Sequence, residues 1–175
     1  SLDDQNVLTV GAGVRLVKAS SFTAKAGLTG MEFAYGIPGS VGGAIFMNAG
    51  AYGGSMDQIV LETQYLDEEG NPHTLIGDEH LFDYRHSFFA DHPEFLITEV
   101  RLQLKKGNPD EIFATIDDLQ SRRKEKQPLN YPSAGSTFKR PVGNFAGALI
   151  EKNGLKNFSI GGAMVSELHA GFVIN

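Results

Sequence analysis

Three stretches in the first part of the chain alternate between apolar and polar positions and predict β-strands. Residues 6–10 run into a Gly-Ala-Gly turn, and residues 58–66 are followed by the polar turn 67–72 and a return arm at 73–76. The third stretch, 95–104, alternates most regularly. We expect Leu96, Val100, Leu102 and Leu104 on its core face and Glu99, Arg101 and Gln103 on its other face.

Apolar residues at helical spacing predict three helices. The first covers residues 14–26 and ends at Gly27. The second begins after Asn108, which can cap it; Pro109 suits its first turn and Glu111 completes a capping-box pattern. Its expected buried stripe is Ile112, Ile116 and Leu119. The third covers about 144–152 and ends before Gly154.

The remaining segments complete an α+β pattern. Residues 128–137 are rich in Pro, Ser and Gly and predict a loop, and 158–165 and 171–175 predict strands. The net charge changes sign close to the cap of the second helix, so we place a domain boundary near Gly107. The expected domains are residues 1–107 and 108–175.

Charge is distributed unevenly along the chain. Residues 1–104 carry 5 basic and 14 acidic side chains, whereas residues 105–175 carry 10 basic and 7 acidic ones. The acidic part is a poor nucleic-acid surface, and the basic part could hold a small anionic ligand. For Arg122, Arg123 and Lys124 a solvated helix face is the favoured interpretation.

Composition limits the remaining classes of protein. Apolar residues make up 41% of the chain and charged residues 21%, as in ordinary soluble domains. Without cysteine there is neither a disulfide nor a thiolate metal site, which fits a cytoplasmic location. No apolar run is long enough to cross a membrane, and the polar start does not resemble a signal peptide.

Glycine is most concentrated in residues 36–54, GIPGSVGGAIFMNAGAYGG, which contain 7 of the 21 glycines and which we call the glycine-rich segment. Glycine lets the backbone turn sharply and approach a flat or anionic ligand. Bulky apolar residues are interleaved with these glycines, which a flexible linker would lack. The segment therefore predicts either a backbone-lined cofactor wall or a tightly packed turn between strands.

Several other familiar motifs are excluded. Gly11-Ala12-Gly13 lacks the third glycine of a dinucleotide fingerprint, because Leu16 stands in its place, and no P-loop ending exists. The five histidines have neither metal-ligand spacing nor cysteine partners, so we expect no metal site and place them at the surface or behind a site.

Two further segments carry candidate chemistry. In FDYRHS, Arg85 offers a fork of donors suited to a carboxylate, although a salt bridge with Asp83 is the alternative. In KQPLNYPSAGSTFKRP, prolines and Gly135 hold Ser136 beside Lys126, Lys139 and Arg140. This pattern suits an anion-binding loop with a fixed hydroxyl, or a turn in which the serine satisfies a backbone group.

GIPGSVGGAIFMNAGAYG, YRHS, KQPLNYPSAGSTFKRP and GGAMVSELHAGFVIN, in this order, resemble the UDP-N-acetylenolpyruvoylglucosamine reductase (UDP-N-acetylmuramate dehydrogenase) family. The resemblance to its shorter bacterial form covers essentially the whole chain. It implies the C-terminal half of an FAD-binding domain of the vanillyl-alcohol-oxidase type, followed by an α+β substrate-binding domain. It also implies FAD, NADPH and a UDP-sugar substrate, in peptidoglycan synthesis.

The same resemblance implies roles for individual residues. Arg85 would bind the substrate carboxylate and stabilise the enolate-like intermediate, and Ser136 would deliver a proton. Substrate contacts would come from Lys126, Lys139, Arg140, Ser166 and His169. The flavin would be lined by Gly36, Ile37, Pro38, Gly39, Ser40, Gly42, Gly43, Ala44, Asn48, Gly50, Ala51, Tyr52 and Gly53.

Family members are longer at both ends. Their Gly-Asn-Gly-Ser pyrophosphate loop would precede Ser1, and their catalytic glutamate would follow Asn175. We therefore expect weak FAD binding and no turnover from the isolated chain, a monomer for an intact protein, and association for the isolated part. The alternatives are a sugar or alcohol oxidase of the same flavin superfamily and a non-catalytic nucleotide-sugar-binding module.

Overall fold

The structure, a computed structural model, describes residues 1–175 and divides into two compact units, Ser1–Leu119 and Gln120–Asn175. We call these the N-terminal and the C-terminal unit and describe each by itself. The division falls within a helix, because the first half of that helix buries Ile112 and Ile116 together with Ala24. The functional domains expected at 1–107 and 108–175 remain a prediction.

The chain mixes helices and short strands, which confirms the predicted α+β class. The helices are α1 (Leu16–Lys25), α2 (Val41–Phe46), α3 (Phe88–Asp91), α4 (Pro109–Lys126) and α5 (Ala146–Lys152). The strands are β1 (Val7–Gly11), β2 (Leu28–Thr29), β3 (Gly50–Ala51), β4 (Gly54–Ser55), β5 (Val60–Leu66), β6 (Pro72–Ile76), β7 (Leu96–Gln103), β8 (Lys105–Lys106), β9 (Ser133–Ser136), β10 (Ser159–Ile160), β11 (Ala163–Val165) and β12 (Phe172–Ile174). Single 3₁₀ turns occur at Glu32–Ala34, Met56–Gln58 and Gly77–His80. No helix is both long and apolar enough to span a bilayer.

The main sheet of the N-terminal unit has the strand order β1-β7-β5-β6 and is antiparallel throughout. The predicted hairpin is confirmed as β5 and β6. In its turn Asp67 Oδ1 accepts hydrogen bonds from the backbone N–H groups of Glu69 and Asn71, at 3.1 and 2.8 Å. Antiparallel pairing of β1 also agrees with the rejection of a dinucleotide fold, which needs a parallel sheet.

The predicted core face of β7 is right for Val100, Leu102 and Leu104, which are buried, and wrong for Leu96, which is 63% exposed. The cause is a β-bulge. Gln64 of β5 pairs with Glu99, but the next residue, Tyr65, pairs with Ile97, so Thr98 is extra. One extra residue reverses the alternation, and Ile97 therefore packs against the core in place of Leu96.

Helix α1 confirms the first predicted helix. It begins two residues later and ends one residue earlier than the predicted range 14–26. Leu16, Ala19 and Ala24 are buried on its inner side. The chain leaves the helix through Gly27, which has φ +70° and so serves as the expected stop.

Helix α4 begins as predicted, since the N–H of Asp110 donates to Asn108 Oδ1 at 3.0 Å. The expected solvated face is correct for Arg122 and Lys124 but wrong for Arg123, which is only 9% exposed. Arg123 lies seven residues after the buried Ile116, almost two full turns along the helix, and so shares its side.

The C-terminal unit is built on an antiparallel sheet of strand order β10-β11-β12-β9. Helix α5 confirms the third predicted helix, and Gly154 follows it with φ +68°. The predicted loop 128–137 is wrong at its end, where β9 pairs Ser136 with Phe172 of β12. Strand pairing here overrides local propensities that favour a turn.

Candidate functional site

The glycine-rich segment contains a short helix that the sequence reading missed. Ser40 precedes α2 and its Oγ accepts a hydrogen bond from the N–H of Gly43 at 3.2 Å. Val41, Ala44 and Ile45 point into the core and anchor the segment. The segment is thus a fixed surface, with packed side chains below it and exposed backbone above it. Its use as a cofactor wall remains a prediction.

Residues 39–42 lie beside the turn that follows β1. The N–H of Leu16 donates to Gly39 O, that of Val41 to Val14 O and that of Gly42 to Ala12 O, each at 2.9 Å. Only glycine fits at position 42, because an added Cβ would lie 2.8 Å from Cβ of Ala12. The close approach joins the Gly-Ala-Gly turn and the glycine-rich segment into one continuous backbone surface.

Two exposed glycines on this surface are required neither by backbone conformation nor by packing. Gly13 lacks a positive φ, and an added Cβ there would meet nothing within 4 Å. Gly43 is inside a helix, where glycine is less favourable than alanine by about 0.5–1 kcal/mol, and its nearest neighbour would be Ser40 Oγ at 3.4 Å. An exposed, side-chain-free backbone of this kind fits the flat ring system of a flavin.

The residues predicted to line a flavin differ in accessibility. Gly42, Ala44 and Asn48 are buried; Ile37, Ser40, Gly50 and Ala51 are half-buried; Gly36, Pro38, Gly39, Gly43, Tyr52 and Gly53 are exposed. The buried members support the surface from below, and contact with a ligand is left to the other ten. Their role in binding remains a prediction.

The Arg85 side chain points to the glycine-rich segment. Its guanidinium donates to the carbonyl of Asn48 at 3.3 Å and to the carbonyl of Gly50 at 2.7 Å, and packs over the ring of Tyr84 at 5.1 Å. The alternative partner, Asp83, instead accepts from the N–H of Tyr84 at 2.6 Å. Carbonyls fix the direction of the guanidinium without neutralising its charge, so the cation can attract an anionic ligand.

The turn carrying Arg85 is strained. Arg85 has φ +55°, and Leu81, which precedes the FDYRHS segment, has φ +49°. Residues other than glycine rarely adopt this backbone region. Asp83 and His86 exchange two backbone hydrogen bonds of 3.2 and 3.1 Å, which close the turn. Strain of this kind persists where the surroundings over-determine it and is common at functional sites.

In the C-terminal unit the sheet gathers three of the predicted residues. Ser136 is exposed at the end of β9, opposite Phe172 of β12, whose ring lies 4.7 Å from the His169 ring. Ser166 is buried and its Oγ accepts from the N–H of His169 at 3.3 Å. Ser136, Ser166 and His169 therefore lie around neighbouring strands of one sheet.

The His169 ring has a defined orientation. Its Nδ1 accepts from the N–H of Gly171 at 3.0 Å, so the neutral ring carries its proton on Nε2. An added Cβ at Gly171 would lie 2.9 Å from His169 Cε1, so a larger residue there would displace the ring. A donor is thus available at Nε2.

Three cationic side chains of this unit are also predicted to contact the substrate. Lys126 is the exposed last residue of α4, Lys139 is exposed, and Arg140 packs its guanidinium over the Phe145 ring at 3.9 Å. A pocket of about 570 Å³ in the same unit includes Ser166, Asn130, Tyr131 and Lys156 in its lining. Of the five predicted substrate residues only Ser166 lines this pocket.

No group of three or more His, Cys, Asp or Glu side chains is arranged to hold a metal ion. Of the two positions expected for the histidines, the surface is wrong for His80, which is fully buried, and a place behind a site remains a prediction. Its Nδ1 lies 2.8 Å from Gly77 O and its Nε2 2.9 Å from Thr63 Oγ1. Burial lowers the pKa of His80, against the smaller opposing effects of the Gly77 hydrogen bond and the Glu79 charge.

Sequence reasoning also missed Ser87 as a structural residue. It is fully buried, and its Oγ donates to the carbonyl of Phe46 at 2.8 Å. This bond connects the segment that carries Arg85, residues 82–87, to the end of α2. Serine in a polar run carries no signal of burial, so the pattern alone could not have identified it.

Two family models match parts of the chain. Residues 1–75 match the family model described as "FAD binding domain", and residues 127–175 match that of the "UDP-N-acetylenolpyruvoylglucosamine reductase, C-terminal domain".

Curated proteins called UDP-N-acetylenolpyruvoylglucosamine reductase are similar over most of the chain. The protein of Caldanaerobacter subterraneus is 55% identical over 148 residues, which are 85% of this chain and 49% of that protein. The protein of Latilactobacillus sakei is 46% identical over 175 residues, 99% of this chain and 57% of that protein. The chain thus spans about half the length of the curated relatives it matches.

A solved structure has the same fold. The crystal structure of UDP-N-acetylenolpyruvylglucosamine reductase from Thermus caldophilus matches with a TM-score of 0.88 and 36% identity, covering 100% of this chain and 63% of that one.

Proposed function

The chain belongs to the UDP-N-acetylenolpyruvoylglucosamine reductase family, and we propose that its protein is an NADPH-dependent flavoenzyme of peptidoglycan synthesis. It would reduce the enolpyruvyl double bond of UDP-N-acetylglucosamine-enolpyruvate to give UDP-N-acetylmuramate. When bound, FAD would supply the hydride for this reduction, with NADPH as the source of the electrons.

The observation that carries the proposal is the state of Arg85. Two main-chain carbonyls of the glycine-rich segment orient its guanidinium and leave its positive charge uncompensated. Hydride addition next to a carboxylate builds negative charge on the carboxylate oxygens. A cation held in position before the reaction stabilises that charge as it develops and needs no reorganisation.

The glycine surface supports the cofactor part of the proposal. Gly13 and Gly43 leave the backbone bare at positions where neither fold nor packing requires glycine. Residues around them would hold the flavin ring against the backbone and exclude water from one of its faces.

Ser136 supports the proton transfer. It is exposed at the end of β9, and its N-terminal neighbour Gly135 has φ +81°, which lets the chain reach the ladder partner on β12. A serine hydroxyl is a weak acid, so it can donate only to a strongly basic carbanion held close to it. Lys126, Lys139, Arg140, Ser166 and His169 would contact the substrate in this proposal.

The test is NADPH oxidation by the full-length protein, driven by the enolpyruvyl nucleotide sugar. Arg85→Ala should lower kcat by about 10²–10³-fold with the flavin retained. Ser136→Ala should lower it by about 10²-fold or more. The matched controls are Arg101→Ala, which removes a sheet-surface arginine paired with Glu62 at 2.9 Å, and Ser159→Ala on β10; both should leave kcat unchanged.

Two results would reject the proposal. Oxygen consumption with an alcohol, without any dependence on the nucleotide sugar, would indicate an oxidase. Binding of the nucleotide sugar without turnover, unaffected by Arg85→Ala and Ser136→Ala, would indicate a binding module.

A further inference from the structure

Asn48 ends helix α2 in a conformation that normally requires glycine. It has φ +40°, its N–H donates to Ile45 O at 3.1 Å, and the N–H of Ala49 donates to Ala44 O at 2.8 Å. These two bonds form a Schellman motif with Asn48 in the left-handed position, where glycine is the usual residue. The helix end alone therefore gives no reason for an asparagine side chain.

The side chain of Asn48 is buried and uses both ends of its amide. Oδ1 accepts from the N–H of Asp57 at 3.1 Å, and Nδ2 donates to the carbonyl of Asp83 at 3.2 Å. Because an N–H can only be met by the oxygen, the Asp57 bond fixes the amide with its NH₂ towards Asp83. Asp83 is the residue that opens the strained turn of Arg85.

One residue thus holds Arg85 at two points. The main-chain carbonyl of Asn48 accepts from the guanidinium, and its side-chain amide binds the turn from which the arginine projects. A second side chain of the same segment, Ser87, donates to Phe46 O at the helix end. The turn that carries Arg85 and the guanidinium of Arg85 are therefore both hydrogen-bonded to the same short stretch at the end of α2.

We propose that Asn48 is a positioning residue, which aims the Arg85 guanidinium at the substrate by tying the arginine turn to the glycine-rich segment. The inference rests on the proposed function for its kinetic consequence. It predicts that the side chain of Asn48 acts through Arg85 and not by direct contact with the reacting groups.

The main test is Asn48→Gly in the full-length protein. Glycine keeps the left-handed helix end at no steric cost and removes only the amide. We expect kcat for the nucleotide sugar to fall by about 10–100-fold, the size found when supporting hydrogen bonds of a site are lost. Flavin content should be nearly unchanged, and Tm should decrease modestly because the two hydrogen bonds of the amide are lost. Asn48→Asp, which keeps the acceptor for Asp57 and loses the donor to Asp83, should lose as much.

The matched control is Asn6→Gly. Asn6 is also a left-handed asparagine of the N-terminal unit, with φ +62°, but its carbonyl accepts from Leu104 and it has no part in the arginine turn. It should leave kcat unchanged. An equal loss in Asn6→Gly would show a general effect of glycine and overturn the inference.

A double-mutant cycle separates positioning from a structural role. In an Arg85→Ala background, Asn48→Gly should change kcat by less than about 2-fold, because the residue it aims is gone. A loss as large as in the wild-type background would overturn the inference, since Asn48 would then act without Arg85.

A spectroscopic readout does not depend on the reaction. Nitrogen NMR of the Arg85 guanidinium should show slow rotation in the wild-type protein and fast rotation in Asn48→Gly, as its two carbonyl hydrogen bonds weaken. If the wild-type protein failed to reduce the nucleotide sugar, the proposed function would be rejected while this measurement still decided the inference. Unchanged rotation in Asn48→Gly would overturn it.

Discussion

The two units fix their candidate residues by different means. In the N-terminal unit a single apolar cluster fills the space below the glycine-rich segment, and its largest fully buried side chains include Phe89, Leu16, Met31 and Ile45. In the C-terminal unit the buried apolar side chains are Pro128, Ala170, Phe172 and Ile174, and no residue of α5 is buried.

This difference separates two ways of building a site. Arg85 is held by side-chain and main-chain bonds whose donors and acceptors are themselves anchored in a core, as at Ser87 and Asn48. Ser136 is held by the β9–β12 ladder and the positive φ of Gly135, close to the surface. We therefore expect the arginine site to be sensitive to core packing and the serine site to be sensitive mainly to its own strand.

The largest effect should come from removing a core ring. Phe89→Ala in the N-terminal unit should lower the free energy of unfolding by about 3–5 kcal/mol, because the ring is fully buried and leaves a cavity. Leu149→Ala on α5, where the side chain is 38% exposed, should cost less than about 1 kcal/mol.

Denaturant unfolding measures the loss of unfolding free energy in both variants, and the m-value should equal that of the wild-type protein. Equal losses would contradict the comparison, since they would show that the side chains of the C-terminal unit are as closely packed as those of the core.

A smaller effect is expected where a methyl group is added. An added Cβ at Gly54 would lie 2.6 Å from Cδ1 of the buried Phe33 ring, so Gly54→Ala should destabilise by about 1–3 kcal/mol. An added Cβ at Gly162 of the C-terminal unit would lie 2.9 Å from Oδ1 of Asn175, the end of a flexible side chain that can rotate away. Gly162→Ala should be nearly neutral.

Thermal unfolding of the two alanine variants gives the comparison directly, because neither glycine has a positive φ and so neither substitution adds backbone strain. A large loss in Gly162→Ala would indicate that the C-terminal unit is as tightly packed as the core of the N-terminal unit and would contradict the comparison.

Local patterns were sufficient for the regular parts of both units. The cap at Asn108, the stop at Gly27 and the β5–β6 hairpin follow from residues within one or two turns of each other. The solvated face predicted for residues 122–124 of α4 is wrong at Arg123, because a charged side chain can lie on the buried face of a helix and charge alone does not indicate exposure.

Features that depend on pairing over long distances were not accessible to the same reasoning. The bulge at Thr98 exists only through pairing with β5, and β9 exists only through pairing with β12. The predicted residue types of the arginine site came from the sequence, but the bonds from Asn48 to Asp83 and from Ser87 to Phe46 join positions 35 and 41 residues apart. No local periodicity carries such contacts.

The smallest effect concerns the pH dependence of the N-terminal core. Burial holds the pKa of His80 below its ordinary value of 6.5, with its neutral ring placed between Gly77 O and Thr63 Oγ1 and stacked on Phe82 at 4.9 Å. Below pH 6.5 the unfolded chain therefore binds a proton at this position that the folded protein does not. The stabilisation by neutral His80 is complete above that pH and is lost as the pH falls towards the lowered pKa of the folded state.

We expect His80 to account for a decrease of at most about 1.4 kcal/mol per pH unit in this window, because one proton is involved. His80→Gln, which can still donate to Gly77 O, should remove that slope although it lowers the stability at neutral pH. Denaturant unfolding at several pH values between 4 and 8 measures the difference between the two proteins. Parallel curves for the wild-type protein and His80→Gln would show that the buried histidine is not the source of acid sensitivity in this unit.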